Sequence, residues 1–274
     1  MGRNVNGPSL IKTPDWLIGR LGRYHLYFAH HLGSYIRLAY ADDLAGPWAI
    51  HTPGVLDISQ CLPFHEHIAS PDVHIDEDRQ ELRMYLHGIT DPHPYDEPLQ
   101  QTCLAMSFDG LHFALRPKVL GPSYLRVWQW QGQHYALALG GELLQSPDGL
   151  TPFTSLGQLK GLPDVTRHTA VLKQNETLWV AWTCLYDEPE RIFIAKMDLH
   201  ADWRLTDIQE LLRPEMDWEG ADLPVSPSQP DIALNRVHQL RDPCFFSEDG
   251  KTYMLYSTAG EAGIAIAELS GLSE

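Results

Sequence analysis

The sequence predicts an all-β protein, a single five-bladed β-propeller over residues 1–274. Three observations carry that prediction. Short runs alternate apolar and polar residues with a period of two, as strands do. Such runs recur in five copies at intervals of about 45–50 residues, the period of a propeller blade. No long helical pattern occurs, and the 20 prolines and 21 glycines fit many turns.

The first copy is the clearest. Tyr24, Leu26 and Phe28 alternate with His25, Tyr27 and Ala29. A polar break follows at His30, His31, Gly33 and Ser34, and Tyr35 to Tyr40 alternates again. Asp42, Gly46 and Pro47 end that run, and Trp48 opens an outer strand. An inner strand starting near Asp15, in TPDWL, completes the unit. The second copy begins at Ala69-Ser70-Pro71-Asp72-Val73-His74 and continues through Leu82–Gly88 and Gln101–Ser107. Twelve residues separate Asp15 from Tyr27, and again Asp72 from Met84. The third copy, Ser123–Val127, His134–Gly140 and Leu143–Ser146, is degenerate. The fourth runs through Thr166–Val171, Leu178–Trp182 and Arg191–Lys196. The fifth comprises Leu240–Pro243, Thr252–Ser257 and Gly263–Leu269. Two longer segments, Leu211–Gln239 and Ile89–Gln100, exceed ordinary blade connections and are read as functional loops.

A formal net charge of −16 argues against nucleic acid and against an anionic membrane surface as partners. It favours a small neutral or cationic molecule. Cys61, Cys103, Cys184 and Cys244 form no C-x-x-C pair, so neither a zinc ribbon nor a redox motif is indicated. They read as reduced thiols of a cytoplasmic protein. The segment MGRNVNGPSLIK lacks the apolar core of a signal peptide, and Asn6 breaks the myristoylation pattern. No window approaches the 18 apolar residues of a membrane span. The sequence is silent on oligomeric state.

In a propeller the start of each inner strand and the end of the next strand meet at one mouth of the central channel. Those positions hold Asp15 with His30 and His31, and Asp72 with His87. They then hold Arg126 with Gly140, Arg167 and His168 with Thr183, and Arg241 and Asp242 with Thr258. Carboxylates, histidines and arginines from several blades are thereby predicted to converge. The plainer reading stands beside this one, because an Asp next to Pro also caps turns. That alternative applies above all to Asp15. Glu219 and Asp222, in the run EGAD, lie on the long loop before the fifth inner strand. They are either solvated or folded over the channel. His25, His51, His112 and His200 are read as core or surface histidines, and Trp128, Trp130, Trp179 and Trp182 as blade packing. No G-x-S-x-G, H-E-x-x-H, P-loop or strand-linked G-x-G-x-x-G occurs.

The pattern resembles the five-bladed propeller glycoside hydrolases of families 43, 62, 32, 68 and 117. The residues that carry the resemblance are the early Asp followed by RYHLYFAHH and YIRLAYADDLAGPW, then SPDVH, and RDPCFFSEDGKTYMLYS with GIAIAEL. Family 43 is typically inverting, with an Asp base in the first blade, a second Asp that orients and tunes, and a Glu acid. The resemblance puts Asp15 at the base. It offers Asp72 as the second Asp, one blade earlier than that pattern. The fourth blade departs from it, carrying Arg167-His168 in place of Glu. This is similar to family 117, where a histidine is the acid. The Arg-Asp-Pro of family 32 lies in another blade, so its role is not carried to Arg241 and Asp242.

Glycoside cleavage needs one group to protonate the leaving oxygen and another to activate water or attack the anomeric carbon. The expected arrangement is Asp15 as base and His168 as acid, held charged by Asp242, with Glu219 as the alternative acid. Asp72 joins the catalytic set. His30, His31, His87, Arg126, Arg167, Arg241 and Asp222 are the expected substrate contacts. A central calcium or zinc ion would fit a funnel of histidines and carboxylates, although no ligand spacing specifies one. Two other functions stay open: a propeller that binds sugar without cleaving it, and a phosphorolytic enzyme similar to family 130. The latter would use Arg126, Arg167 and Arg241 for phosphate.

Overall fold

A computed structural model describes residues 4–91, 99–230 and 232–272. The strands gather into two compact units, residues 8–125 and residues 126–274 with the N-terminal segment 1–7. The first unit holds two four-stranded meanders. One is β1 (Asn6–Lys12), β2 (Tyr24–Ala29), β3 (Tyr35–Ala41) and β4 (Ala49–Asp57). The other is β5 (His65–Asp76), β6 (Glu81–Thr90), β7 (Leu99–Ser107) and β8 (Ala114–Pro122). The second unit holds three more. These are β9 (Arg126–Trp130), β10 (Gln133–Leu137), β11 (Glu142–Ser146) and β12 (Thr154–Gln158), then β13 (Thr166–Gln174), β14 (Thr177–Cys184), β15 (Ile192–Asp198) and β16 (Thr206–Leu212). The last, β17 (Arg241–Glu248), β18 (Lys251–Thr258) and β19 (Gly263–Leu269), has three strands. Five meander sheets make five blades, as the repeat predicts.

Helix among the described residues is confined to three single 3-10 turns, Ile58–Gln60, Leu139–Gly141 and Asp217–Glu219. None is long or apolar enough to cross a membrane. The long segment after β16 carries the last of these turns. The other predicted loop falls largely on residues 92–98, outside the described residues.

Burial explains the sequence pattern and one departure from it. The second strand of a blade is covered on both faces, so every residue of β2 is buried although its sequence alternates. The outermost strands β12 and β16 are almost wholly exposed. In the first unit Tyr27, Ile36, Leu38, Ile68, Leu82 and Met84 join one core. In the second, Trp182 stacks on Phe193 at 5.8 Å, and Trp128 on Tyr135 at 5.7 Å. Trp130 and Trp203 pack against the same cluster. Trp128, Trp130 and Trp182 are thus blade packing, as their sequence context implies, and Trp203 joins them.

Two strand starts differ from expectation. The first inner strand is Asn6–Lys12, not a strand opening at Asp15, and β5 begins at His65, four residues before Ala69. In both cases the backbone ladder, which the alternation of side chains does not report, sets the boundary.

His25 illustrates how polar groups are held inside the first unit. It is fully buried, and its Nε2 accepts a hydrogen bond from the Leu21 backbone N–H at 3.3 Å. The proton therefore sits on Nδ1, 3.3 Å from the Tyr27 hydroxyl. That hydroxyl donates to the Gly110 carbonyl at 3.0 Å. Gly110 has φ 74°, and any Cβ there would sit 3.0 Å from the same hydroxyl. Burial, reinforced by His51, pulls the His25 imidazole from 6.5 down to about 4.

A buried neutral histidine makes the fold acid-sensitive. The unfolded chain protonates His25 at higher pH than the folded one, so its contribution is complete above 6.5 and disappears as pH falls toward 4. The full effect is about 3 kcal/mol. Thermal unfolding followed from about pH 7.5 to about pH 5 is expected to show a steeper loss of Tm in the native protein than in His25→Gln. Parallel curves would refute it.

Candidate active site

The inner strands open with a repeated irregularity. The ladder slips between Ala69 and Asp72 in the second blade, between Thr166 and Thr169 in the fourth, and between Arg241 and Cys244 in the fifth. Left-handed backbone marks the same place: Gly7 (φ 56°), Ser70 (49°), Tyr124 (63°) and Asp242 (49°). A bulge re-aims side chains that a regular strand would turn elsewhere. Non-glycine residues held left-handed cost of the order of 1–3 kcal/mol each and concentrate at functional sites.

In the second unit these openings bring buried charges together. Glu190, in the loop between β14 and β15, is completely enclosed. Its Oε2 lies 3.2 Å from Arg167 Nη1 and 3.0 Å from Arg241 Nε. Arg241 reaches Glu261 at 3.1 Å and donates to Gln239 Oε1 at 2.6 Å. Asn4 donates to the other oxygen of Glu261. Arg167 donates to the carbonyls of Gln229 at 3.0 Å and Pro230 at 3.2 Å, on the long segment. Burial pushes the Glu190 carboxyl above its ordinary value, more than Arg167 and Arg241 pull it back.

His168 sits beside this network. Its Nε2 is 3.4 Å from Asp242 Oδ1. Its Nδ1 is 3.3 Å from Thr183 Oγ1 and 4.0 Å from Glu190 Oε1. Asp242 is 1% exposed and accepts from Ser257 Oγ at 3.2 Å. Burial alone would raise its carboxyl, but His168, Arg167, Arg126 and Arg241 hold it below the usual carboxylate value. Asp242 is therefore an anion near neutrality, and an imidazolium at His168 would lie between two carboxylates. Acid and base across a glycosidic bond stand roughly 5–9 Å apart. A pair at 3.4 Å is too close for that, so His168 and Asp242 act as one unit.

The other predicted residues fall out differently. Arg126 opens β9, buried, and its charge helps hold Asp242 ionised. Glu219 is buried and accepts three hydrogen bonds. Tyr256 Oη donates at 2.7 Å, and the backbone N–H groups of Glu215 and Met216 at 2.9 and 3.0 Å. A carboxylate so committed to accepting caps its own turn and is ill-suited to donate a proton. Asp222 is 3.5 Å from Arg236 on the same long segment. Asp15 does not open a strand. It lies in the turn beyond β1 with its side chain 99% exposed, 2.9 Å from Arg20, as the turn reading has it. Asp72 is within β5, after the bulge, 2.7 Å from His74 Nε2. His30 Nδ1 accepts from the Leu32 N–H at 3.0 Å. His31 is half-buried, and His87 is buried in β6 with its ring 6.2 Å from those of His67 and Tyr124.

Among the described residues no three His, Cys, Asp or Glu side chains are grouped to hold a metal ion. Three contributors escaped the sequence reading. Glu190 and Glu261 occupy matching loops, each between the second and third strands of its blade, and that shared position was a usable signal. His67 sits in the bulge at the start of β5, where period-two reasoning fails.

No protein-family model matches the chain. It is 36% identical to the uncharacterized protein R118 of Acanthamoeba polyphaga mimivirus, over 97% of this chain and 83% of that protein. A thermostable family-43 glycoside hydrolase superposes with TM-score 0.67 at 16% identity, over 97% of this chain and 89% of that one. The GH43_1 enzyme of Xanthomonas citri gives 0.67 at 13%, over 97% and 88%. The Bombyx mori GH32 β-fructofuranosidase BmSUC1 gives 0.62 at 15%, over 97% and 60%. At these identities the structural likeness is one of fold. Its identity and coverage place the chain in the same family as mimivirus protein R118, and its fold is the five-bladed β-propeller of the family 43 and family 32 glycoside hydrolases.

Proposed function

We propose that the protein is a glycosidase acting on a small oligosaccharide or glycoside, with His168 as the group that protonates the leaving oxygen. The observation that carries this reading is the placement of His168 between two buried carboxylates, Asp242 and Glu190, at the opening of an inner strand. Such a ring has carboxylates on both sides to orient it as it gives a proton to a developing alkoxide. Asp242 does not touch the reacting atoms in this scheme. It orients the ring and stabilises its charged form. The propeller fold shared with glycoside hydrolases supports the substrate class, and the acidic chain suits a neutral sugar.

Phosphorolysis has less support. Arg167 is engaged with Glu190 and two backbone carbonyls, and Arg241 with Glu190, Glu261 and Gln239. Neither presents a guanidinium ready for phosphate.

Replacing His168 with Ala is expected to lower turnover of a glycoside with a poor leaving group by about 10²–10⁴. A nitrophenyl glycoside, whose leaving group needs little protonation, should lose far less. Equal losses on both substrates would remove His168 from the acid role. Absence of turnover by the native protein on any glycoside would leave a sugar-binding protein.

Asp242→Asn tests the positioning role through the pH profile. Without the carboxylate the imidazolium loses its nearest counter-charge. The basic limb of kcat/KM should move to lower pH. A lower rate with an unmoved limb would assign Asp242 to folding alone.

A further inference from the structure

From the first unit we infer that His67 is a hydroxyl-binding residue for a neutral polyol, a sugar-recognition group beside His87 that the proposed chemistry leaves unused. The inference rests on the glycosidase reading for its substrate class.

His67 is 5% exposed, yet no hydrogen-bond partner for its ring is placed among the described residues. Its ring nitrogens do not belong to the enclosed polar atoms left without a partner, so water or a ligand reaches them from outside the fold. The backbone is bent to hold it there. The β5–β6 ladder slips between His65 and Ile68, so Glu66 and His67 form a bulge. Glu66 is left-handed, with φ 66°. Across the ladder is Gly88, where a Cβ would stand 2.7 Å from the His67 carbonyl and 2.7 Å from the Phe64 ring. Only a residue without a side chain permits that approach. A bulge and a left-handed residue that hold a polar ring at a strand opening are features that concentrate at functional sites.

The surroundings select the ligand. The His67 ring stands edge-on to His87 at 6.2 Å, and His87 is tilted against Tyr124 at 6.2 Å. Burial, with His31 and His65, lowers the imidazole's pKa against the opposing pull of Glu66, so the ring is neutral at neutral pH. A neutral imidazole carries one N–H donor and one lone pair. A sugar hydroxyl, itself donor and acceptor, matches both. An anion finds no fixed positive charge in this ring, and Glu66 opposes one.

The experiment uses the full chain labelled with ¹⁵N-histidine, its ring signals assigned by their loss in His67→Gln and His168→Gln. D-xylose, L-arabinose, D-galactose and D-fructose are titrated in turn, and Zn²⁺ alone in a separate arm. The expected result is a saturable shift of the His67 ring signals with at least one sugar. The same sugar should bind His67→Gln about tenfold more weakly or worse, while far-UV circular dichroism and Tm stay near native. A sugar that moves the His168 signals and leaves His67 untouched overturns this inference and keeps the glycosidase reading. If no sugar moves either ring, both fall. A stoichiometric response of His67 to Zn²⁺ without any response to sugar would make the site a metal site and overturn the polyol assignment.

Discussion

The enclosed carboxylate of Glu190 is the interaction on which the second unit depends. It faces Arg167 from the fourth blade and Arg241 from the fifth. Each arginine then ties down chain that has no regular structure of its own. Arg167 holds Gln229 and Pro230 of the long segment, and Arg241 holds Glu261, to which Asn4 is fastened. Removing an ion from water costs several kcal/mol even after relaxation. That cost is offset here by the oxygens around the two guanidinium groups, those of Glu190, Gln229 and Pro230 for Arg167 and of Glu190, Glu261 and Gln239 for Arg241. The gain is positional, since strands, a loop and the N-terminal segment are fixed to one charge.

The same network sets the electrostatics of His168 and Asp242. Low dielectric strengthens each interaction and makes each unpaired charge expensive. Burial raises the Glu190 carboxyl against the pull of Arg167 and Arg241, whereas the cations around Asp242, equally enclosed, hold its carboxyl below the ordinary value. Two carboxylates within one cluster are thus driven apart in proton affinity by their neighbours. Such divergence is how proteins separate groups that carry charge from groups that carry protons.

Strand irregularity delivers these side chains. A regular inner strand would alternate its residues between the two faces of the blade. The slips at Ser70–Pro71, Arg167–His168 and Asp242–Pro243 insert unpaired residues at the strand openings. Asp242 and His168 owe their proximity to those insertions. The additional bulge at Glu66–His67 repeats the device at the opening of β5.

Five copies of a period-two pattern at blade spacing, with glycine and proline at the turns, determined the all-β five-blade architecture from sequence alone. The pattern works because blade strands must bury at least one face, and burial is written in residue type. The strand openings Arg126, Thr166 and Arg241 were legible for the same reason, and so was the candidacy of His168 and Asp242. Tertiary structure decided what residue type does not encode. Asp15 and Asp72 look alike in sequence, yet one is in an exposed turn and the other lies within a strand, because the ladder rather than the alternation fixes where strands begin. Glu219 looked free to act as an acid, and its three hydrogen bonds became visible only once Tyr256 was brought to it from the fifth blade. Glu190 and Glu261 gained their importance through partners that are distant in sequence and adjacent only after folding.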